Sequence, residues 1–396
     1  MATLMNVFEF RQPASTTAQA KNFACDLKSV LEKEKPAELR IFTILERLQE
    51  KNLLDQEISR VKNLYRKDLG SFEAEFGEDG WEMLTALDVF DQGTAIHSIN
   101  TYLTTKKKVE KKLWNGVVLV HEFNREQVTL SQFYRACVLH DIGKIEVPHA
   151  VLTNKATDRS CALALFENKD EILIPLLRKK RDESFSLPET IKSSEDLLSY
   201  LQNELHIRPQ SISPIKLLLP QPIDEEVIAQ LTHCGCTLED SLTTIMQKHD
   251  EYSKKILQKT NYPVEAELAG AHHKHKSEAI RYKTTVNVLR TSVDLADIVH
   301  LADVENAILS KRSYKEGKTV LEALKVLSLH STLGLIEGYI AYIWIADEMN
   351  AIKEQKIEED DQKNFNDVVQ FLEEEHIKNP TWPDWKVDYL MLKEAA

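Results

Sequence analysis

An adjacent histidine and aspartate can aim an imidazole nitrogen and a carboxylate oxygen at one metal ion, and the chain carries this pair at His140-Asp141. The pair closes an apolar run, Phe133-Tyr134-Arg135-Ala136-Cys137-Val138-Leu139, and Gly143-Lys144 and Pro148 follow it. The proline marks the helix end, and Lys144, one turn on, can meet an anionic oxygen. Further donors stand at His97, His249, His272-His273 and Asp303. Each lies in or beside an apolar helical pattern, where an unpaired ionisable group is costly. Imidazoles and carboxylates converging from several helices suit Fe, Mn, Zn or Ni rather than Ca, which takes all-oxygen shells. Singly, each histidine is as readily a hydrogen-bonded core or surface residue, and His275 and His300 are read that way.

The elements that must position these donors are helices. Only 11 glycines and 12 prolines in 396 residues, with abundant Leu, Ala, Glu and Lys, give an all-α fold class. Apolar spacing predicts helices over 18–33 and 38–66, a turn at Asp79-Gly80, and a helix running through Leu87 to His97. Thr129-Leu130-Ser131 caps the helix that ends at His140. Residues 149–237 differ: Pro175, Pro214, Pro220 and Pro222 interrupt the pattern, Leu187-Pro188-Glu189 opens a short helix, and 211–222 reads as a short strand or surface segment. This stretch is expected to be an insertion. Thr237-Leu238-Glu239-Asp240 then restarts a helical pattern that continues to about residue 356. Lys106-Lys107-Lys108 with Lys111-Lys112, and the charged stretch 351–361, are read as solvated helix faces, and Trp382 and Trp385 as packing back onto the body.

A formal charge of -13 argues against general DNA or RNA binding, which needs basic surface. Five irregularly spaced cysteines make no disulfide framework. Cys137 reads as core, and Cys234-Gly235-Cys236 offers half a zinc site without a second pair. No apolar run approaches the roughly 20 residues of a membrane helix, and the N-terminus lacks a signal-peptide pattern. A soluble, intracellular protein is expected.

The order of the donors resembles that of the HD superfamily of metal-dependent phosphohydrolases, and more narrowly its HD-GYP branch. His140-Asp141-Ile142-Gly143-Lys144-Ile145-Glu146-Val147-Pro148 is similar to the HDIGKIGIP signature. His249 with Ile256-Leu257, and the segment Leu301-Ala302-Asp303 through Arg312-Ser313-Tyr314-Lys315, resemble two further segments. The resemblance covers roughly 85–150 and 237–330. It implies an HD helical bundle, placed over 85–345; the 149–237 insertion, the N-terminal helical region (1–84) and the C-terminal charged helix and tail (346–396) lie outside what the resemblance explains. It also implies two divalent transition metals, Fe or Mn before Zn or Ni. One would be held by His97, His140, Asp141 and Asp303, the other by Asp141, His249, His272 and His273, with Asp141 bridging. Asp141 and Lys144 take catalytic roles, and Lys144, Arg281, Arg312 and Lys315 bind substrate. The implied activity is that of a cyclic di-GMP-type phosphodiesterase using metal-activated hydroxide, in a bacterial cytoplasm.

After His272-His273 the GYP motif is replaced by Lys274-His275-Lys276-Ser277-Glu278-Ala279-Ile280-Arg281-Tyr282-Lys283. One turn before His97, some members place an extra Glu ligand where this chain has Gly93, so two metals are expected rather than three. The basic strip fits an anionic substrate or a solvated loop. Two other readings stand beside the phosphodiesterase: an HD hydrolase of another nucleotide or nucleotide-modified substrate, and a non-catalytic metal-containing module that binds a ligand or protein. Apolar helices without assigned partners leave room for a homodimer.

Overall fold

The structure is a computed structural model, and it describes residues 39–110, 119–121, 127–180, 182–273, 282–286, 291–310, 318–352, 357, 359–382 and 385. The expected helix over 18–33, and Cys25, Lys111-Lys112, His275, Arg281, Arg312 and Lys315, lie outside them. The described residues are mainly helical, as composition predicts. In chain order the α-helices longer than four residues are α1 (Arg40–Glu50), α2 (Leu54–Leu69), α3 (Glu78–Phe90), α4 (Gln92–Glu110) and α5 (Leu130–Leu139). Then follow α6 (Asp158–Glu167), α7 (Ile174–Lys180), α8 (Ser194–Ser199), α9 (Glu225–His233) and α10 (Leu242–Met246). The last are α11 (Lys248–Lys259), α12 (Pro263–Ala269), α13 (Leu295–Leu309), α14 (Val320–Thr332), α15 (Gly338–Ile352) and α16 (Gln362–Lys378).

Four short strands add a feature the helical reading did not contain. β1 (Leu119–His121), β2 (Gln127–Val128), β3 (Tyr282–Val286) and β4 (Thr291–Asp294) form an antiparallel sheet in the order β2-β1-β3-β4. Leu119 pairs with Val128 on one side and Thr284 on the other, and Thr284 pairs with Val293. Tyr282-Lys283-Thr284-Thr285-Val286 is rich in β-branched and aromatic residues, the types that favour a pleated backbone.

The described residues divide into two compact units, one built on 41–142 and 250 onward, the other on 143–249. The second unit contains the expected insertion and extends beyond it at both ends, to Gly143 and to His249. Its own core is Leu165, Leu173, Leu177, Leu197, Leu201, Leu205 and Ile212. Pro175 lies within the first turn of α7, where its missing N–H does least harm, and a π-helical turn, Lys169–Leu173, precedes it. Residues 187–189 lead into a turn, and the helix starts only at Ser194, capped by Ser193. In place of a strand, residues 211–222 hold one 3-10 turn, Ile215–Leu217, entered through Pro214, and a first 3-10 turn, Pro209–Ser211, ends where they begin. Thr237 to Asp240 form a turn closed on Asp240, so the next helix waits for Ser241 as its cap.

In the first unit α13 is buried nearly all round, from Leu295 to Leu309, as a central helix must be. α4 and α14 pack on it, and α5 packs between α4 and α12. The boundaries expected at 84/85 and 345/346 fall inside continuous helices, α3 and α15, because the buried faces there run on without a break. The expected turn at Asp79-Gly80 is instead the first turn of α3, and the bend falls at Gly77, whose φ of 78° suits glycine. Trp382 packs on Tyr339 and Tyr342, and Trp385 is buried, as expected.

Lys108 overturns the solvated-face reading. It is fully buried, with Nζ 2.7 Å from Asp347 Oδ2 and 2.6 Å from Glu348 Oε1, over the Trp344 ring. Trp344 in turn donates to Glu305 Oε2. The acidic residues of α13 and α15 take the lysine inward, a pairing across more than 200 residues that local spacing does not contain.

Candidate metal centre

α5 begins at a complete capping box: Thr129 accepts from the Gln132 N–H, and Gln132 Oε1 accepts from the Thr129 N–H at 2.9 Å. Its buried face, Phe133, Ala136, Cys137, Val138 and Leu139, is wholly out of solvent and carries the helix end inward. His140 and Asp141 follow at that end, both fully buried. The His140 carbonyl accepts from Ser253 Oγ of α11 at 2.6 Å.

Three histidines share one local device. His140 Nδ1 donates to the Cys137 carbonyl (2.9 Å), His249 Nδ1 to Met246 (2.6 Å) and His272 Nδ1 to Ala269 (2.6 Å). Each acceptor lies three residues back, in the last turn of α5, α10 or α12, where carbonyls have lost their helical partners. A carbonyl can only accept, so the proton sits on Nδ1 and the lone pair on Nε2. Metal-ligating histidines are typically oriented this way.

Two four-residue sets result, the donors of each lying within 4.8 Å of one another: His97, His140, Asp141 and Asp303, and His249, Asp250, His272 and His273. His249 and Asp250 are consecutive residues of α11, so the boundary between the two units passes between them and the helix itself places His249 beside Asp250. In the first set His97 Nε2 is 3.7 Å from Asp141 Oδ2, and His140 Nε2 is 3.4 Å from Asp141 Oδ2 and 3.5 Å from Asp303 Oδ1. These exceed hydrogen-bond length, whereas metal–donor bonds of about 2.0–2.2 Å set tetrahedral neighbours about 3.4 Å apart. His97 and Asp303 are closer, at 2.6 Å, a direct hydrogen bond. The sets adjoin: Asp303 Oδ2 lies 3.6 Å from His273 Nε2, and the His140 and His272 rings are 5.0 Å apart. The donor types, burial and spacing are those of groups that could hold metal ions.

Burial opposes ionisation of Asp303, yet the His140, His97 and His273 imidazoles that face it outweigh burial and hold its carboxyl well below the usual range. Asn306, one turn on, donates to Thr104 Oγ1 at 3.0 Å and to the Ala302 carbonyl at 2.7 Å, fixing α13 against the α4 face that bears His97.

Every expected ligand thus falls in one set or the other. The expected sharing differs: Asp141 groups with the first set alone, and Asp250 supplies the second set's carboxylate. Helix geometry explains this, since Asp250 follows His249 on the same turn. Lys144 is partly buried in the 3-10 turn Ile142–Glu146. Cys234 and Cys236 are buried; Cys234 Sγ bonds the Glu146 carbonyl and Cys236 Sγ the Cys234 carbonyl, and among the described residues neither joins a metal-binding group.

His300, read from sequence as unconnected, belongs to the surroundings of the site. Burial above all, with the charge of His330 adding, pushes its imidazole down to about 4, so it is neutral. Its Nδ1 donates to the His272 carbonyl, and its Nε2 accepts from His330 Nδ1 at 3.0 Å. It therefore holds the peptide that links two donors. No sequence spacing reveals His300. Asp250 had a signal, because His249-Asp250 is a second His-Asp pair in the chain.

Set against protein-family models, curated proteins and solved structures, the chain matches none.

Proposed function

We propose that this protein is a dinuclear metal-dependent phosphohydrolase of the HD type, and that its substrate is a cyclic-dinucleotide phosphodiester. The observation that carries the reading is the pair of adjoining, buried His/Asp sets, with three imidazoles held in one tautomer by helix-end carbonyls. A lone structural ion needs one such set; two sharing an edge suit in-line displacement at phosphorus. When bound, two divalent cations would polarise a phosphoryl oxygen and activate water near neutral pH.

The chain's own residues orient and shield. His140 and His272 present Nε2 lone pairs without reorganisation, and Asp141 and Asp303 supply two buried carboxylates. Cys137, Leu139 and Ile142, all fully buried, keep bulk water from that side. His273, whose side chain is 25% exposed, is the donor open to solvent among the two sets, and the substrate approaches from its side. Lys144 is assigned to a phosphate oxygen, as a compact cation on a flexible stem. No helix among the described residues is long and apolar enough to cross a membrane.

The test is anaerobic purification, metal analysis, reloading with Fe(II) or Mn(II), and chromatography of cyclic di-GMP beside an Asp141→Ala control. Metal-dependent linear dinucleotide or mononucleotide, absent in the control, is expected. Two bound ions without turnover would discard this substrate, and a protein that takes up no metal would discard the enzyme.

A further inference from the structure

Asp250 occupies the first turn of α11, a position where acidic residues often serve only to meet the helix dipole. Its neighbour Glu251 does that while exposed, whereas Asp250 is 6% exposed and turned inward. Its Oδ1 lies 3.7 Å from His272 Nε2. That is too long for a hydrogen bond, and because His272 Nδ1 already donates to the Ala269 carbonyl, Nε2 presents a lone pair. Two electron-rich atoms therefore face each other across 3.7 Å in a buried site. A cation between them turns that repulsion into attraction.

The first set has the same construction. There His140 donates through Nδ1 to the carbonyl three residues back, and Asp141, the next residue, stands 3.4 Å from Nε2 of His140 itself. In the second, His249 donates through Nδ1 to the carbonyl three residues back, and Asp250 is the next residue. The chain thus has two His-Asp doublets with the same Nδ1 tether, one in each donor set; Asp141 faces the histidine of its own doublet and Asp250 faces His272.

We propose that Asp250 is a direct ligand of the second metal ion, so that each ion is served by its own His-Asp doublet. This rests on the metal-centre reading above. Formal charge then differs between the sites. Asp141 and Asp303 neutralise a divalent ion in the first, while Asp250 alone leaves one positive charge in the second. The second ion is therefore the one that attracts an anionic phosphoryl oxygen, and it is the softer, imidazole-rich site.

The full-length protein is stripped with a chelator and titrated with Co(II), following its visible absorption and the metal retained after gel filtration. Wild type is expected to hold two ions per chain. Asp250→Asn should keep one tightly and bind the other about 100-fold more weakly or worse, since even outer partners of ligands cost 10–100-fold. Asp141→Asn should instead weaken the first. Asp250→Glu, which keeps the carboxylate, should retain two ions with an altered Co(II) spectrum, and it covers the case in which Asp250→Asn fails to fold. Unchanged affinity and stoichiometry in Asp250→Asn, or an unchanged spectrum in Asp250→Glu, would overturn the role of Asp250 and leave the metal centre standing. One ion or none in wild type would overturn the two-metal reading itself.

Discussion

At the scale of the residue, burial decides what each ionisable group can do. Burial opposes the charge on Lys108, but Glu348, Asp347 and Glu305 outweigh it and raise its pKa. Burial, with Glu348 adding, pushes the Glu305 carboxyl up to about 7. Lys108→Met leaves these carboxylates without their cation and should cost about 3–5 kcal/mol in urea unfolding at neutral pH. Because the folded pKa of Lys108 lies above its unfolded value, its contribution is complete below about pH 10.4 and is lost as pH rises through the folded value. The difference between wild type and variant should therefore persist to about pH 9 and shrink in more alkaline solution. A gap that stays constant to pH 11 would place the effect in packing alone. Cys137 is fully buried and its thiol is pushed up to about 12, so iodoacetamide at pH 8 should modify it only after unfolding, as read by mass spectrometry.

At the scale of the element, helix ends position the candidate metal donors. α5, α10 and α12 each finish with a carbonyl that turns a histidine into an Nε2 donor. The start of α5 matters for the same reason, since an unravelled first turn shifts the whole rod that ends in His140. Thr129→Ala removes the capping acceptor and should lower stability by about 1 kcal/mol, with Thr129→Ser restoring most of it. Thermal melts check both. Arg135 ties α5 to α12, bonding Glu265 Oε1 at 2.6 Å and covering the Tyr262 ring. Burial raises the Glu265 pKa against that pairing, so Arg135→Met should cost about 3 kcal/mol by stranding a buried carboxylate.

At the scale of the whole molecule, the chain leaves its first compact unit just after Ile142 and re-enters it at Asp250, so both His-Asp doublets stand at these crossings. Metal that binds only the folded protein adds RT ln(1 + [L]/Kd) to its stability, about 2.7 kcal/mol per site at 100 Kd. Chelation should therefore lower the melting temperature, and re-addition of Mn(II) or Fe(II) should restore it. Equal melting curves with and without chelator would show that neither donor set holds an ion.

The sequence by itself determined the donors and the helical class. His97, His140, Asp141, His249, His272, His273 and Asp303 were all legible, because ligand chemistry needs particular residue types and helices bring them at recurring spacing. It also showed the capping of α5 and the break in pattern over 149–237, both written in local residues. What only the tertiary structure decided is which donor joins which set. Asp250 groups with His272, and that grouping depends on how α11 meets α12, elements distant from α5 in sequence. The burial of Lys108 against α15, the sheet that joins residues near 120 to residues near 284, and the grip of His300 on the His272 peptide were hidden for the same reason. Each is a pairing between segments far apart in the chain, and propensity and periodicity report only on near neighbours.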